Sequence, residues 1–164
     1  MGTNHIASGT RIEECYNIGE ISGKDNIGGI GGGIGNGSNV GYIINCYNSG
    51  RIVGNRIMGI VGSGSGIKTI SCYNLGELEG TTKYGISNKG NIENCYYLAN
   101  NGTSTGNAVG VTNEELKEKY ALLDRAFTID DENNVITISE TEKQNVWIKD
   151  DKNKNSGYPI FNWQ

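Results

Sequence analysis

The chain has 164 residues with 26 glycines, one proline, 35% hydrophobic residues and a formal net charge of −4. That length allows a single domain, but the apolar content is thin for ordinary packed layers, and glycines kept in register with isoleucines argue against a low-complexity disordered chain. Lysines and arginines are scattered, which disfavours nucleic acid as a partner, and no stretch approaches the roughly 20 apolar residues of a membrane span.

The start, Met1 to His5, lacks the charged and apolar regions of a signal peptide. Ile6 to Gly9 read as the tail of an earlier repeat, so the natural chain is expected to continue upstream of Met1. From Cys15 an eight-position phrase recurs, Cys-Tyr-Asn-x-Gly-x-(Ile/Leu)-x followed by Gly. Its copies begin at Cys15, Cys46, Cys72 and Cys95, spaced 31, 26 and 23 residues apart, and the fourth decays. Aligned on the cysteine, position +1 holds Tyr16, Tyr47, Tyr73 and Tyr96, and +2 holds Asn17, Asn48, Asn74 and Tyr97. Position +4 holds Gly19, Gly50, Gly76 and Ala99, and +6 holds Ile21, Ile52, Leu78 and Asn101. A second apolar element follows around Ile30, Ile60, Ile86 and Val109.

Spacings of this size are those of stacked repeat units. The pattern predicts a mainly β fold in which residues 1–111 form a parallel β-helix, or solenoid, of about three to four coils. Each coil holds two or three short strands, and successive coils pair about 4.8 Å apart. Length differences fall at Gly31–Gly41 and Ser63–Gly66, where coils are expected to bulge. Side-chain parity points the cysteines, the asparagines at +2 and the apolar +6 residues inward, and the tyrosines outward. Ile12, Ile43 and Ile92 at −3 have the wrong parity for this, which requires a corner near −1. The +5 residues Glu20, Arg51 and Glu77 alternate in sign and predict an outward charge ladder.

Beyond Gly110 the repeat stops. Thr112-Asn113-Glu114-Glu115 reads as a capping box, and Leu116, Tyr120, Leu123 and Phe127 follow at helical spacing, predicting a helix over 113–125. Ile129, Val135 and Ile138 flank the turn Asp131–Asn134, a predicted hairpin, and the chain ends with Trp147, Tyr158-Pro159-Ile160-Phe161 and Trp163. Residues 112–164 are therefore expected to form a helix-plus-hairpin cap over the last coil, continuous with the repeats.

The run Asn45-Cys46-Tyr47-Asn48-Ser49-Gly50-Arg51-Ile52-Val53-Gly54, with Gly-Ile-Val-Gly at 59–62, resembles the GLUG-motif repeats of bacterial surface proteins, including the non-catalytic part of immunoglobulin A-cleaving proteases. The ending with Trp147, Asp150, Asn155, Gly157-Tyr158-Pro159 and Trp163 is similar to the finish of many such regions. The resemblance implies an extracellular stalk or adhesin segment at a bacterial cell surface, with no catalytic residues in the repeats. The protease's His-Glu-x-x-His motif is absent, His5 being the only histidine.

Four cysteines one per coil form a line rather than a tetrahedron, so buried thiols are favoured over zinc, with one or two inter-coil disulfides the lesser alternative. The column of Tyr16, Tyr47, Tyr73 and Tyr96 is the candidate ligand or partner face, a flat ladder for host or cell-wall glycan or protein, set against a purely structural role for the stacked rings. Asp151-Lys152-Asn153-Lys154-Asn155 has the alternating oxygens of a calcium loop, but the glycine falls late and Asn162 stands where a bidentate glutamate belongs. Glu20 with Glu77 is too wide for a glycosidase pair, and the glycines of 28–37 lack the lysine of a phosphate cradle. No catalytic residue, cofactor or metal is expected. An open first coil predicts end-to-end self-association.

Overall fold

The structure is a computed structural model that describes residues 10–33 and 40–164. His5, the segment Ile6–Gly9 and residues 34–39 of the first glycine-rich bulge lie outside the described residues. The chain divides into two compact units, Met1–Val111 and Thr112–Gln164. No helix among the described residues is long and apolar enough to cross a membrane.

The first unit is built from parallel sheets in which repeat copies supply successive strands. One sheet runs Arg11–Glu13, Gly41–Ile44, Ile67–Ile70, Asn91–Glu93. A second runs Tyr16–Asn17, Tyr47–Asn48, Tyr73–Asn74, Tyr96–Leu98 and then Val109–Val111. A third aligns Ile21–Ser22, Ile52–Met58 and Leu78–Tyr84, with Asp25–Gly28 also on the middle strand. Gly31–Gly33 pairs with Val61–Ser63. Equivalent letters face one another: Tyr16, Tyr47, Tyr73 and Tyr96 in one file, and Ile21, Ile52 and Leu78 in another.

The corner demanded by parity lies at −1 in every copy. Glu14, Asn45, Ser71 and Asn94 all take left-handed backbone, with φ between 49° and 53°. Single residues in that conformation reverse the inward and outward alternation, so Ile12, Ile43 and Ile92 before the corner and the cysteines after it can face the same interior. Ile43, Ile92, Cys46, Cys72 and Cys95 join Ile60, Val61, Ile67 and Ile86 in one buried cluster, with Ile12 and Ile30 packed against it and Cys15 left exposed, while Ile52, Ile57 and Leu78 form a second. The third member of the −3 file is Thr69, between Ile43 and Ile92 in register.

Ile30, Ile60 and Ile86 follow one another as expected, linked by bonds from Ile30 N to Ile60 O and Ile60 N to Ile86 O, each 2.9 Å. Val109 departs from that column. It pairs with Tyr96 in the second sheet and is exposed, because the decayed fourth copy returns to the tyrosine sheet after a shorter excursion.

In the second unit the capping box forms. The Thr112 hydroxyl accepts from the Glu115 N–H, and the Glu115 carboxylate accepts from the Thr112 N–H. The single helix expected over 113–125 is instead two short ones, Asn113–Lys117 and Tyr120–Leu123. Glu118 and Lys119 bond to Glu115 and Leu116, three residues back, which tightens the chain between the two while Leu116 and Leu123 both stay buried. The hairpin is present and longer than expected: Arg125–Asp130 pairs antiparallel with Val135–Lys143. Trp147–Ile148 then pairs with Ile160–Phe161.

Candidate functional site

The inward asparagines form a continuous amide ladder. Asn17 Nδ2 donates to Asn48 Oδ1 and Asn48 Nδ2 to Asn74 Oδ1, both at 2.8 Å. Each amide also reaches the carbonyl two residues ahead in its own repeat copy, Gly19 O and Gly50 O at 2.9 Å and Gly76 O at 3.4 Å. Asn48 and Asn74 are fully buried. Glycine is needed beside this ladder because the backbones close on one another. A Cβ on Gly50 would stand 2.0 Å from Gly19 O and 2.5 Å from Asn17 Nδ2, and one on Gly76 would stand 2.1 Å from Gly50 O. Tyr97 ends the ladder with a ring lying against Gly85, where a Cβ would meet it at 2.1 Å.

The tyrosine column does not present the open ladder expected of it. Tyr16 and Tyr47 stack at 5.1 Å and 6°, and Tyr47 and Tyr73 at 5.0 Å and 1°. A ligand lying on the ladder would need exposed rings, and Tyr47, Tyr73 and Tyr96 are buried. Only Tyr16, at the end of the file, is exposed, at 43%. Rings that parity points outward, Tyr47 and Tyr73, are thus closed off from solvent at 2% and 0% exposure.

The charge ladder forms as expected and is larger. Arg51 pairs with Glu20 at 2.8 Å and Glu77 at 3.7 Å, and also binds Glu79. The hydrogen bonds that the Arg51 guanidinium donates to Glu20 first, then Glu79, raise it above its ordinary value. An arginine held between Glu20 and Glu77 neutralises the pair that a glycosidase would need unmasked. The four cysteines are free thiols, Cys15 exposed and Cys46, Cys72 and Cys95 buried. Each points at the carbonyl two residues back, as Cys46 Sγ does at Ile44 O, 3.2 Å, and Cys72 Sγ at Ile70 O, 3.2 Å. Burial pushes the Cys72 thiol well up, with neighbouring Cys46 and Cys95 adding to it. Among the described residues no group of three His, Cys, Asp or Glu side chains converges as a metal ligand set.

In the second unit the segment read against a calcium loop is organised around Asp150. Its carboxylate accepts the N–H of Lys154, Asn155 and Gly157 at 2.8, 2.7 and 3.0 Å. Burial drives its pKa up, but bonds from Asn155, Lys154, Gly157 and Lys152 outweigh that and hold it below the ordinary aspartate value. The oxygens are thus committed to the backbone and shape the turn before Ile160. Asp124 does similar work, taking the N–H of Val146 and Trp147 on Oδ1 at 2.7 and 3.0 Å.

Sequence reasoning passed over one surface here. A cleft of about 400 Å³ is bordered by Trp163, Ile148, Asn162, Lys149, Lys152 and Lys154. Trp163 is 56% exposed, whereas Trp147 is buried at 2%. The available signal was Trp163 with the Lys152-x-Lys154 run eleven to nine residues before it. No family model, curated protein or solved structure matches the chain.

Proposed function

We propose that residues 10–111 are coils of a parallel β-helix and that the chain is a non-catalytic structural segment of a GLUG-type bacterial surface protein, serving to extend or present a neighbouring part. The observation that carries this reading is the register. Four copies of one phrase supply parallel strands to the same sheets, with tyrosine over tyrosine and asparagine over asparagine. Such a stack commits its repeated letters to one another, so their purpose is to continue the stack. The ion-paired carboxylates around Arg51 and the buried tyrosines fit the same role. A polysaccharide-cleaving enzyme would need acidic groups free to share protons with substrate.

The first coil offers a pairing edge. Arg11–Glu13, Tyr16–Asn17 and Ile21–Ser22 each end their sheets among the described residues. A preceding coil or a second copy of this chain would continue all three sheets there. The test is where the encoded protein resides. An antibody or a membrane-impermeant thiol or amine reagent should reach it on intact cells of the organism that makes it. Labelling only after lysis would reject the surface assignment.

A further inference from the structure

We infer that Cys15 and Cys46 are an oxidisable pair, which a low-molecular-weight disulfide converts into a covalent staple between the first two repeat copies. This goes beyond the structural reading and stands on the register of the strands, wherever the protein resides.

Register sets the two thiols opposite each other. Glu13 pairs with Ile44 and Tyr16 with Tyr47, so Cys15 faces Cys46 in the interval between. The backbones are bonded on both sides of the pair, Glu14 N to Ile44 O at 3.2 Å and Tyr47 N to Cys15 O at 3.1 Å. Adjacent strands lie about 4.8 Å apart, inside the roughly 4.4–6.8 Å between α-carbons that a disulfide spans. Side chains opposite each other in parallel strands must turn toward one another to bond, and these sulfurs are already turned. Cys46 Sγ lies 3.2 Å from Ile44 O and 3.7 Å from Ile12 O in the preceding copy. Cys72 Sγ likewise lies 3.4 Å from Cys46 N and 3.6 Å from Ile43 O, and Cys95 Sγ lies 3.4 Å from Thr69 O. Each later thiol thus leans toward the copy before it, and that of Cys46 leans toward Cys15. The Cys15 thiol donates to Glu13 O at 3.1 Å, a weak bond that bridging gives up at small cost.

Access selects this pair from the three that stack. Cys15 is exposed, whereas Cys46, Cys72 and Cys95 are buried at 0% exposure. A soluble disulfide therefore meets Cys15 first. The Cys15 thiolate attacks one sulfur of the reagent, the reagent's S–S bond breaks, and one thiolate leaves, so that Cys15 carries a mixed disulfide. Cys46 then gives up its proton to solvent and attacks the Cys15 sulfur, and the second reagent thiolate departs. Two protein thiols are oxidised to one disulfide while one reagent disulfide is reduced to two thiols. Burial first, then neighbouring Cys46 and Glu14, push the Cys15 thiol up, so the pair is made by proximity and not by an activated nucleophile. Proximity also decides the partner, because a thiol at strand spacing has an effective concentration far above that of a second chain in dilute solution. The bridge closes the 31-residue span between the copies and so stabilises their pairing.

The test incubates the whole chain with oxidised glutathione at about pH 8.5, near the ordinary cysteine value. The chain is then denatured, its remaining thiols are alkylated, and trypsin separates residues 12–24, which hold Cys15, from residues 25–51, which hold Cys46. These two peptides should be joined by a disulfide, with Cys72 and Cys95 alkylated. Hydrogen exchange at the Tyr47 N–H, which donates to Cys15 O, should slow by about tenfold or more on bridging and recover with dithiothreitol. Cys46→Ala should leave Cys15 as the mixed glutathione disulfide. Cys15→Ala, at an exposed position, should leave Cys46 reduced. A mixed disulfide that persists at Cys15 of the wild type overturns the inference, as does a Cys15 that does not react. A bridge from Cys46 to Cys72, a dimer joined through Cys15, or unchanged exchange at Tyr47 in the bridged chain would overturn it as well.

Discussion

Replacing Asn48 with alanine removes the middle rung of the amide ladder. Its Oδ1 accepts from Asn17 at 2.8 Å, and its Nδ2 donates to Asn74 at 2.8 Å and to Gly50 O at 2.9 Å. Three bonds at about 1 kcal/mol net each give roughly 3 kcal/mol of destabilisation, and water cannot substitute where the side chain is fully buried. For a chain of this size that is about 6–12 °C in Tm. Asn17→Ala removes bonds of the same kind at the half-buried end of the ladder, where water reaches the orphaned groups, so its cost should be only about 1 kcal/mol. Urea denaturation gives both values. Hydrogen exchange at Tyr73 and Leu75, whose N–H groups donate across this seam to Cys46 O and Asn48 O, assigns the loss to the repeats. Equal effects for the two variants, or less than about 1 kcal/mol for Asn48→Ala, would show that the ladder does not hold the repeats together.

Gly50→Ala should destabilise by about 3 kcal/mol because the added carbon meets Gly19 O of the preceding repeat, while Gly32→Ala, with nothing within 4 Å, should stay within about 0.5 kcal/mol; paired urea curves compare them. Thr69→Val should stabilise by about 1 kcal/mol, since the Thr69 hydroxyl is buried without a hydrogen-bond partner between Ile43 and Ile92, and thermal melts read the gain. Asp150→Asn should cost the second unit about 2–4 kcal/mol, monitored by tryptophan fluorescence, because the charged acceptor of three backbone donors is lost. The pH sign follows from the lowered pKa. The Asp150 contribution is fully present above the ordinary aspartate value of about 4 and is lost as pH falls through the folded value, so wild type and Asp150→Asn should converge in acid.

Much of the first unit was legible because repetition makes the pairing partner of each residue readable by alignment alone. The files of Tyr16, Tyr47 and Tyr73 and of Ile21, Ile52 and Leu78 and the Glu20–Arg51–Glu77 ladder follow from register, and parity demands a corner near −1, which the backbone then places at Glu14, Asn45, Ser71 and Asn94. Parity also placed Asn48 and Asn74 inside, but not their mutual amide bonds, which depend on rotamers. The helix expected over 113–125 broke in two because local spacing carries no information on how tightly three-residue turns close at Glu118 and Lys119. The Trp163 cleft was missed because its lining comes from Ile148, Lys152, Lys154 and Asn162, brought together by one short antiparallel pair.

Direction in a strand is a local property: alternate residues point to opposite sides whatever else the chain does, so which letters stack, and on which side, could be read from 164 characters. Exposure is not local. By that rule Tyr47 and Tyr73 point outward, yet they are buried, with their rings stacked at 5.0 Å. Trp163 belongs to an ending that reads as apolar, yet it is left open to water over Phe161. Burial depends on which neighbours fold over a side chain, and that became visible only once the chain was assembled in three dimensions.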